Sequence, residues 1–410
     1  MKKLISILLI PLFLVSFAAC GKSNNAEVQN IFGDFNNTFG YLSNIAAVAE
    51  SEDAFYFKCP NGKYIHYYVK TTGESGVLCS KPECIHDAVL DNTGCEGYHL
   101  GLSPCWSFNN GRLYFKSRDP FDSHKLAILS VAADGTDLRR ELSVPGTDEI
   151  GGSAMAYCLH RDALYILVFY EAVTEAEPDQ GYRIIRMTPG SDEQEVIFER
   201  TSKLWSDCSM RFVGNRVYIC YSEYTSMEGA VKNGFYYWDI VSGELNTILE
   251  TVHEKGTGMF IGNRFYVDEK GTVWFSPERP ESLTSEPCAV YKVENGELSE
   301  AFKIEIPGVD RVSANMGEGV ATVMYYNNFF VYDLDGSLIF QGSTDRADFV
   351  ADYGLTNGLI AYSSPYITRD YYIVCVEGAD SEFRHTEIVL KFDFTDDGLV
   401  TTLLGSELVE

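Results

Sequence analysis

Along most of its length the chain alternates short apolar, aromatic-rich runs with polar turns, and the runs repeat in a fixed layout. A turn leads into a strand-like run centred on an apolar pair: Phe55-Tyr56, Leu113-Tyr114, Leu164-Tyr165, Val217-Tyr218, Phe265-Tyr266, Val320-Ala321 and Leu359-Ile360. Successive pairs lie 58, 51, 53, 48, 55 and 39 positions apart. Turns such as Asn109-Asn110-Gly111-Arg112, Val213-Gly214-Asn215-Arg216 and Ile261-Gly262-Asn263-Arg264 precede most of them. Each unit then carries a second hairpin with a polar or acidic turn containing glycine, at Gly73, Gly135, Gly190, Gly243, Gly296, Gly336 and Gly398. Glycine supplies the positive φ that tight hairpin turns require. Two hairpins make four strands, and seven such units predict an all-β fold: a single β-propeller of seven four-stranded blades, whose radial closure leaves only short sheet edges. Six or eight blades, or a pair of β-sandwiches, are the alternatives, because the sixth unit is irregular around Met316-Gly317-Glu318-Gly319. No long amphipathic helical pattern interrupts the repeat. The segment Leu42 to Ala49 is expected to pair with the last blade, alongside final strands at Glu387 to Phe394 and Leu399 to Leu404, and so to close the ring.

The first forty residues break the pattern. Met1-Lys2-Lys3 is a basic start, Leu4 to Phe17 is apolar, and Ala18-Ala19-Cys20 follows, which is the layout of a secretory leader. The apolar run is short for a membrane span. The small residues before Cys20 resemble the lipobox read by the bacterial lipoprotein peptidase, with Phe17 where that pattern usually has Leu. The resemblance implies cleavage before Cys20 and lipid on its thiol. Acyl chains contribute about 0.8 kcal/mol for each buried CH₂, so two or three of them anchor a protein without any further membrane element. The expected organisation is a leader over 1–19, a lipidated cysteine and polar, Asn-rich flexible tether over 20–40, and the propeller over 41–410. The body would stand on the extracytoplasmic face of the cell membrane.

Charge narrows the partners. The net charge is −27 over 410 residues, and removal of Lys2 and Lys3 makes it more negative. Such a surface repels nucleic acid and anionic lipid, so no nucleic-acid partner is expected.

The stretch Asn37-Thr38-Phe39-Gly40-Tyr41-Leu42-Ser43-Asn44, followed by an acidic turn and Phe55-Tyr56-Phe57, resembles the start of the bacterial propeller domains named after the low-density lipoprotein receptor-related protein. Tyr41 and Ile45-Ala46 depart from that opening. Hairpins with Asp-Gly turns, as at Ala133-Asp134-Gly135-Thr136, are similar to TolB-type propeller repeats. The resemblance implies a surface binding or scaffolding propeller and carries no catalytic residues with it.

Eleven cysteines are present, and besides Cys20 five of them, Cys59, Cys79, Cys84, Cys95 and Cys105, fall in the first unit and its exit. The segment Cys79-Ser80-Lys81-Pro82-Glu83-Cys84-Ile85-His86-Asp87, with Cys95 beyond it, is similar to one in propeller lipoproteins of anaerobic Gram-positive bacteria. Three thiolates and an imidazole can close a tetrahedral structural zinc site, which makes Cys79, Cys84, His86 and Cys95 a candidate ligand set. Disulfides, expected outside the cytoplasm, and free thiols remain open alternatives for the same residues. Cys158, Cys208, Cys220, Cys288 and Cys375 sit in β-runs and read as small core residues.

Motifs for known propeller enzymes are missing from the sequence. There is no Ser-x-Asp-x-Gly-x-x-x-Trp box, no Gly-x-Ser-x-Gly elbow, and no phosphate loop. Asp333-Leu334-Asp335-Gly336 reads as a hairpin turn and Trp238-Asp239 as a lone pair. His66, His99, His124, His160, His253 and His385 are scattered, yet a ring could bring them to one mouth. Tyr221, Tyr224, Tyr366 and Tyr371 are candidates for stacking on sugars. The expected function is a non-catalytic module that binds a protein or glycan partner at the cell envelope. The alternative is a polysaccharide-active lyase or glycosidase working at the propeller mouth.

Overall fold

The structure, a computed structural model, describes residues 35–36, 47–86, 92, 94–99, 106–119, 122–146, 151–161, 163–173, 178–188, 193–253, 260–261, 265–277, 288–306, 314–317, 319–325, 328–343, 356–360, 366–379, 382, 384–395 and 398–409. They form seven sheets of antiparallel strands taken in chain order, and no described residue is helical. Blade one comprises Ala47–Glu50, Ala54–Lys58, His66–Val69 and Ser75–Val77. Blade two comprises Ser107–Asn109, Arg112–Asp119, Asp122–Ala132 and Arg139–Val144. Blade three follows with Ser153–His160, Ala163–Val173, Pro178–Met187 and Gln194–Ser202, and blade four with Ser206–Val213, Arg216–Tyr224, Val231–Asp239 and Leu245–His253. Blade five is Phe265–Val267, Val273–Phe275, Cys288–Glu294 and Glu297–Ile304; blade six is Asn315–Gly317, Val320–Tyr325, Asn328–Asp333 and Leu338–Ser343. Blade seven is Thr356–Ile360, Tyr371–Ala379, His385–Thr395 and Gly398–Leu408, with Tyr366–Ile367 paired beside its second strand.

The turns are where the glycine pattern places them. Gly73, Gly135, Gly243, Gly296, Gly336 and Gly398 join third to fourth strands with φ of 71, 78, 71, 81, 88 and 120°. Gly190 lies outside the described residues. Asn110 and Gly111, with φ of 49 and 73°, make the Asn-Gly turn of the first hairpin in blade two. In the sixth unit Gly319, at 76°, stands just before the strand Val320–Tyr325, and Glu318 lies outside the described residues.

Two central pairs sit elsewhere than their spacing suggests. Phe265-Tyr266 and Leu359-Ile360 lie on the first described strands of their blades, whereas the other five pairs lie on second strands. In blade five the cause is a turn at Asp268, whose Oδ1 accepts the N–H groups of Lys270 and Thr272 at 2.9 Å each and folds Val273–Phe275 back early.

Second strands lose the usual apolar–polar alternation. Ala163 to Val168 is fully buried on both faces, and so is Ala54 to Lys58. Each sheet is covered by a neighbouring blade on either side, so both faces of an inner strand are core. Outermost strands do alternate, as in Leu245–His253. Apolar clusters join every neighbouring pair of blades: one to two, two through three to four, four to five, five to six, six to seven and seven to one. Cys158, Cys208, Cys220, Cys288 and Cys375 are all buried there.

Closure differs from the expectation. Of the segment thought to pair with the last blade, residues 42–46 lie outside the described residues, and Ala47 to Ala49 pairs with Tyr56 to Lys58 as the first strand of blade one. The turn at Ser51 explains this: Ser51 N–H donates to Ala54 O and Ala54 N–H to Ser51 Oγ, at 2.8 and 2.9 Å. A hairpin this short costs far less loop entropy than pairing with the far end of the chain. Among the described residues no strand is shared between the first and last blades, and side chains join them. Glu407 Oε1 accepts the N–H groups of Lys63 and Tyr64 at 2.5 and 3.2 Å, and its Oε2 meets His66 Nε2 at 3.1 Å. Glu387 accepts from Asn61 N–H at 3.1 Å and from Asn61 Nδ2 at 2.7 Å. A Cβ at Gly62 would collide with the Glu407 carboxylate, so glycine is needed for this approach. The Tyr371 hydroxyl donates to Glu50, and the Lys58 ammonium donates to the Gly62 carbonyl. Burial raises the Glu387 carboxyl and lowers the Lys58 ammonium.

At the opposite edge of the chain, Phe35–Asn36 pairs with Phe212 and Val213 on the first strand of blade four. The rest of the expected tether, Cys20 and the leader lie outside the described residues.

The seam and a buried histidine can each be tested. Glu407→Ala removes the carboxylate that receives the Lys63 and Tyr64 N–H groups and His66 and should cost about 3–5 kcal/mol, with Glu407→Gln costing less. Chemical denaturation of the purified protein checks it; an unchanged midpoint would remove the carboxylate from the closure. Truncation after Gly398, which deletes the last strand together with Glu407, should abolish cooperative unfolding. The histidine is His99, whose imidazole is buried and held down to about 4 by that burial, against an ordinary 6.5. The folded state keeps this ring neutral where an unfolded chain would protonate it. Its contribution is therefore complete above pH 6.5 and lost as pH falls toward 4, by about 3 kcal/mol. Unfolding measured between those pH values should be flatter in His99→Asn than in the parent.

Candidate functional site

After its fourth strand, Ser75–Val77, blade one gives way to a cysteine-bearing loop that folds back on the sheet. Leu78 N–H donates to Ile65 O at 2.8 Å, Ile65 N–H to Gly97 O at 2.8 Å, and His99 N–H to Lys63 O at 2.7 Å. Tyr64 and Tyr98 form an isolated antiparallel bridge. Both ends of the loop are thus tied to residues 63–65. Within it, Cys84 N–H donates to Lys81 O at 3.1 Å and Cys95 N–H to Asn92 O at 2.9 Å, two turns that each end on a cysteine.

These turns bring Cys79, Cys84, His86 and Cys95 together. One ligand atom from each, three Sγ and an imidazole nitrogen, lies within 4.8 Å of every other. All four residues of the sequence-derived set converge. Cys95 is buried, Cys79 and Cys84 are half-buried, and His86 is exposed. The His86 ring stands edge-on to Tyr64 at 5.5 Å, and Tyr64 packs on Tyr98 at 5.6 Å. Asn92 Nδ2 donates to Cys84 Sγ at 3.3 Å and to Ile85 O at 2.7 Å. The Cys79 thiol donates to Glu96 at 3.6 Å, while Lys81 pairs with Glu96 at 3.1 Å and reaches Gly94 O at 2.5 Å. Burial, and then the neighbouring Cys79, pushes the Cys95 thiol well up, and burial followed by His66 lowers His86. Cys105 lies outside the described residues.

A second group unites Cys59, Cys375 and Glu387, all buried between blades one and seven. Contact with Cys375 and then burial push the Cys59 thiol well up. The Glu387 carboxylate there is already occupied by Asn61.

The described histidines of the scattered set are spread over blades one, three, four and seven. His66 and His99 belong to blade one, His160 is buried in blade three with Nε2 at 2.7 Å from Gly214 O, His253 lies on the outermost strand of blade four, and His385 pairs with Glu377 at 2.7 Å in blade seven. The side chain of His124 lies outside the described residues. Of the tyrosines read as sugar-stacking candidates, Tyr221 is buried against Phe198 and is corrected to core, because its strand is covered on both faces. Tyr366 and Tyr371 are half-buried and face Glu50.

Tyr224 does take part in an aromatic group, one that includes a residue the sequence did not single out. Trp205, 54% exposed, packs on Phe260 at 4.3 Å and on Tyr224 at 5.8 Å, and Tyr224 stacks on Phe260 at 5.5 Å. Tyr224 N–H donates to Trp205 O at 3.0 Å, which holds the two together at the end of blade four. The loop leaving Tyr224 carries Met227, 89% exposed. Trp205 stands between two blades as a connector, outside the repeated hairpins, which is why the periodic pattern passes over it.

No family model matches this chain, and no curated protein matches it. Among solved structures it is similar to the acylaminoacyl peptidase of Pyrococcus horikoshii, at 13% identity and a TM-score of 0.47, over 88% of this chain and 52% of the peptidase, so it spans about half of that protein. It is also similar to the β-propeller domain of the Trilobed protease from Pyrococcus furiosus, at 12% identity and a TM-score of 0.46, over 92% of this chain and 97% of that one. Hsv2 of Kluyveromyces lactis is similar at 12% identity and a TM-score of 0.42, over 88% and 97%.

Proposed function

We propose that this chain is an exported lipoprotein with a propeller of the type found in the low-density lipoprotein receptor-related and TolB-like domains. Lipid on Cys20 holds it to the outer face of the cell membrane, and the ring binds a protein or glycan partner of the envelope without turning it over. The leader and the Ala18-Ala19-Cys20 junction support the anchor. Phe35, whose strand meets blade four, lies 15 positions beyond Cys20; fully extended, that stretch reaches at most about 50 Å, enough to hold the ring clear of the headgroups.

The observation that carries the binding role is the Trp205, Tyr224 and Phe260 group. Single exposed apolar residues are ordinary on any surface. Here a half-exposed indole is backed by two stacked rings and sits beside a loop with an exposed methionine, which presents a rigid aromatic face at little entropic cost. Tryptophan and tyrosine dominate binding energy where partners meet, and their faces also stack on sugars.

Two measurements test this reading. Cys20→Ser should abolish fatty-acid labelling and shift the protein from the membrane fraction to the soluble one; unchanged labelling would dismiss the anchor. Purified wild-type lipoprotein and Trp205→Ala, compared on a glycan array and against cross-linked envelope proteins, should differ by about tenfold or more for the genuine partner. Binding that survives the substitution removes the aromatic face from the role, and release of reducing ends from a bound glycan would replace the binding module with an enzyme.

A further inference from the structure

We infer that Cys79, Cys84, His86 and Cys95 form a structural zinc site that locks the exit loop of blade one. The inference is independent of the binding role proposed above.

Geometry is the first support. In a tetrahedral zinc site with bonds of about 2.0–2.3 Å, neighbouring ligand atoms stand about 3.5–4 Å apart. The four donor atoms here already lie within 4.8 Å of one another, so the ion need draw them in by about 1 Å at most. The backbone holds them in place without the ion, through the Lys81–Cys84 and Asn92–Cys95 turns and the ties of the loop ends to residues 63–65.

The donor set is the second. Among themselves the three cysteines can form one disulfide, and a disulfide gives the convergent His86 ring no part. Zinc accounts for all four residues. Each thiol gives its proton to solvent and binds as thiolate, the imidazole binds as the neutral ring, and the shell carries a net charge of about −1. Four protein ligands fill the tetrahedron, so no position stays open for a water or a substrate, which makes the role structural.

The surroundings are the third. Asn92 Nδ2, at 3.3 Å from Cys84 Sγ, is an amide donor aimed at a sulfur, the kind of outer contact that supports a metal thiolate. Lys81 places a cation in the same loop, and Tyr64 fixes the His86 ring from the side. The spacing of the ligands lets the ion tie the two ends of the loop, at Cys79 and Cys95, to its middle.

Zinc content of the full-length protein, purified without chelator and measured by elemental analysis with a thiol titration, tests the inference. One zinc per chain is expected in the wild type and in Cys375→Ser, and none in Cys84→Ser. His86→Ala should weaken zinc binding about tenfold or more, and Asn92→Ala by about 10–100-fold. If Cys84→Ser fails to fold, wild-type protein stripped by chelation and reloaded with cobalt(II) supplies the answer: tetrahedral thiolate coordination gives intense visible absorption that zinc then bleaches. Zinc-free protein with Cys79, Cys84 or Cys95 in a disulfide overturns the site, as does a full zinc complement in Cys84→Ser or weak, octahedral-type absorption from the cobalt-loaded protein.

Discussion

The carboxylates of Glu387 and Glu407, received by the backbone of residues 61, 63 and 64, are the constraint that makes the seven sheets a ring. Phe35–Asn36 adds to blade four, but among the described residues no strand is shared between the last blade and the first. The two ends of the closing contact are 344 positions apart. Loop closure over that length costs about 5 kcal/mol in chain entropy. A hydrogen bond to a charged acceptor contributes about 1.5–3 kcal/mol net. Three such bonds, with the apolar contact of Phe55 and Phe57 against Ile373, Val389 and Leu404, are sufficient to outweigh that cost. Once the ring is closed, each sheet has a neighbour on both faces, and the fully buried second strands become possible.

That double burial also explains how much of the fold could be read from the sequence. An inner strand covered on both sides needs adjacent apolar residues, so pairs such as Leu164-Tyr165 stand out, and the turns between hairpins need positive φ, so glycine marks them. These are local demands and leave local signs. The closure leaves none. Glu387 and Glu407 sit in strands that also carry half-exposed polar residues such as Thr386 and Thr402, and only the fold shows that these two point at the backbone of blade one. The pairing of Ala47 to Ala49, the described part of the Leu42 to Ala49 segment, is hidden for a related reason: its partner is chosen by the Ser51 turn, whereas the alternation of apolar residues fits either neighbour equally.

The candidate sites divide along the same line. Cys79, Cys84, His86 and Cys95 lie within seventeen consecutive positions, so a local pattern foretells their convergence. Trp205, Tyr224 and Phe260 come from a connector, a strand end and the entry to another blade. Nothing in their spacing brings them together. Tyr221 and Tyr224 look alike in the sequence, but three residues along one strand move a tyrosine from the core to its rim.

Blade one is where the two themes meet, and its size supplies the reason. Its strands hold four, five, four and three residues, against eight, eleven, ten and nine in blade three. A sheet that small has few ladder bonds and little apolar area of its own, and small units need added staples to hold their form. Residues 61–66 receive them from two sides. The last blade presents its carboxylates to Asn61, Lys63, Tyr64 and His66, and the cysteine loop bonds to Lys63 and Ile65 while Tyr64 packs against His86 and Tyr98. An ion that fixes the loop therefore also fixes the segment on which the ring closes. Blade one has the fewest described strand residues of the seven, and the cysteine loop packs on the same short segment that receives the last blade's carboxylates.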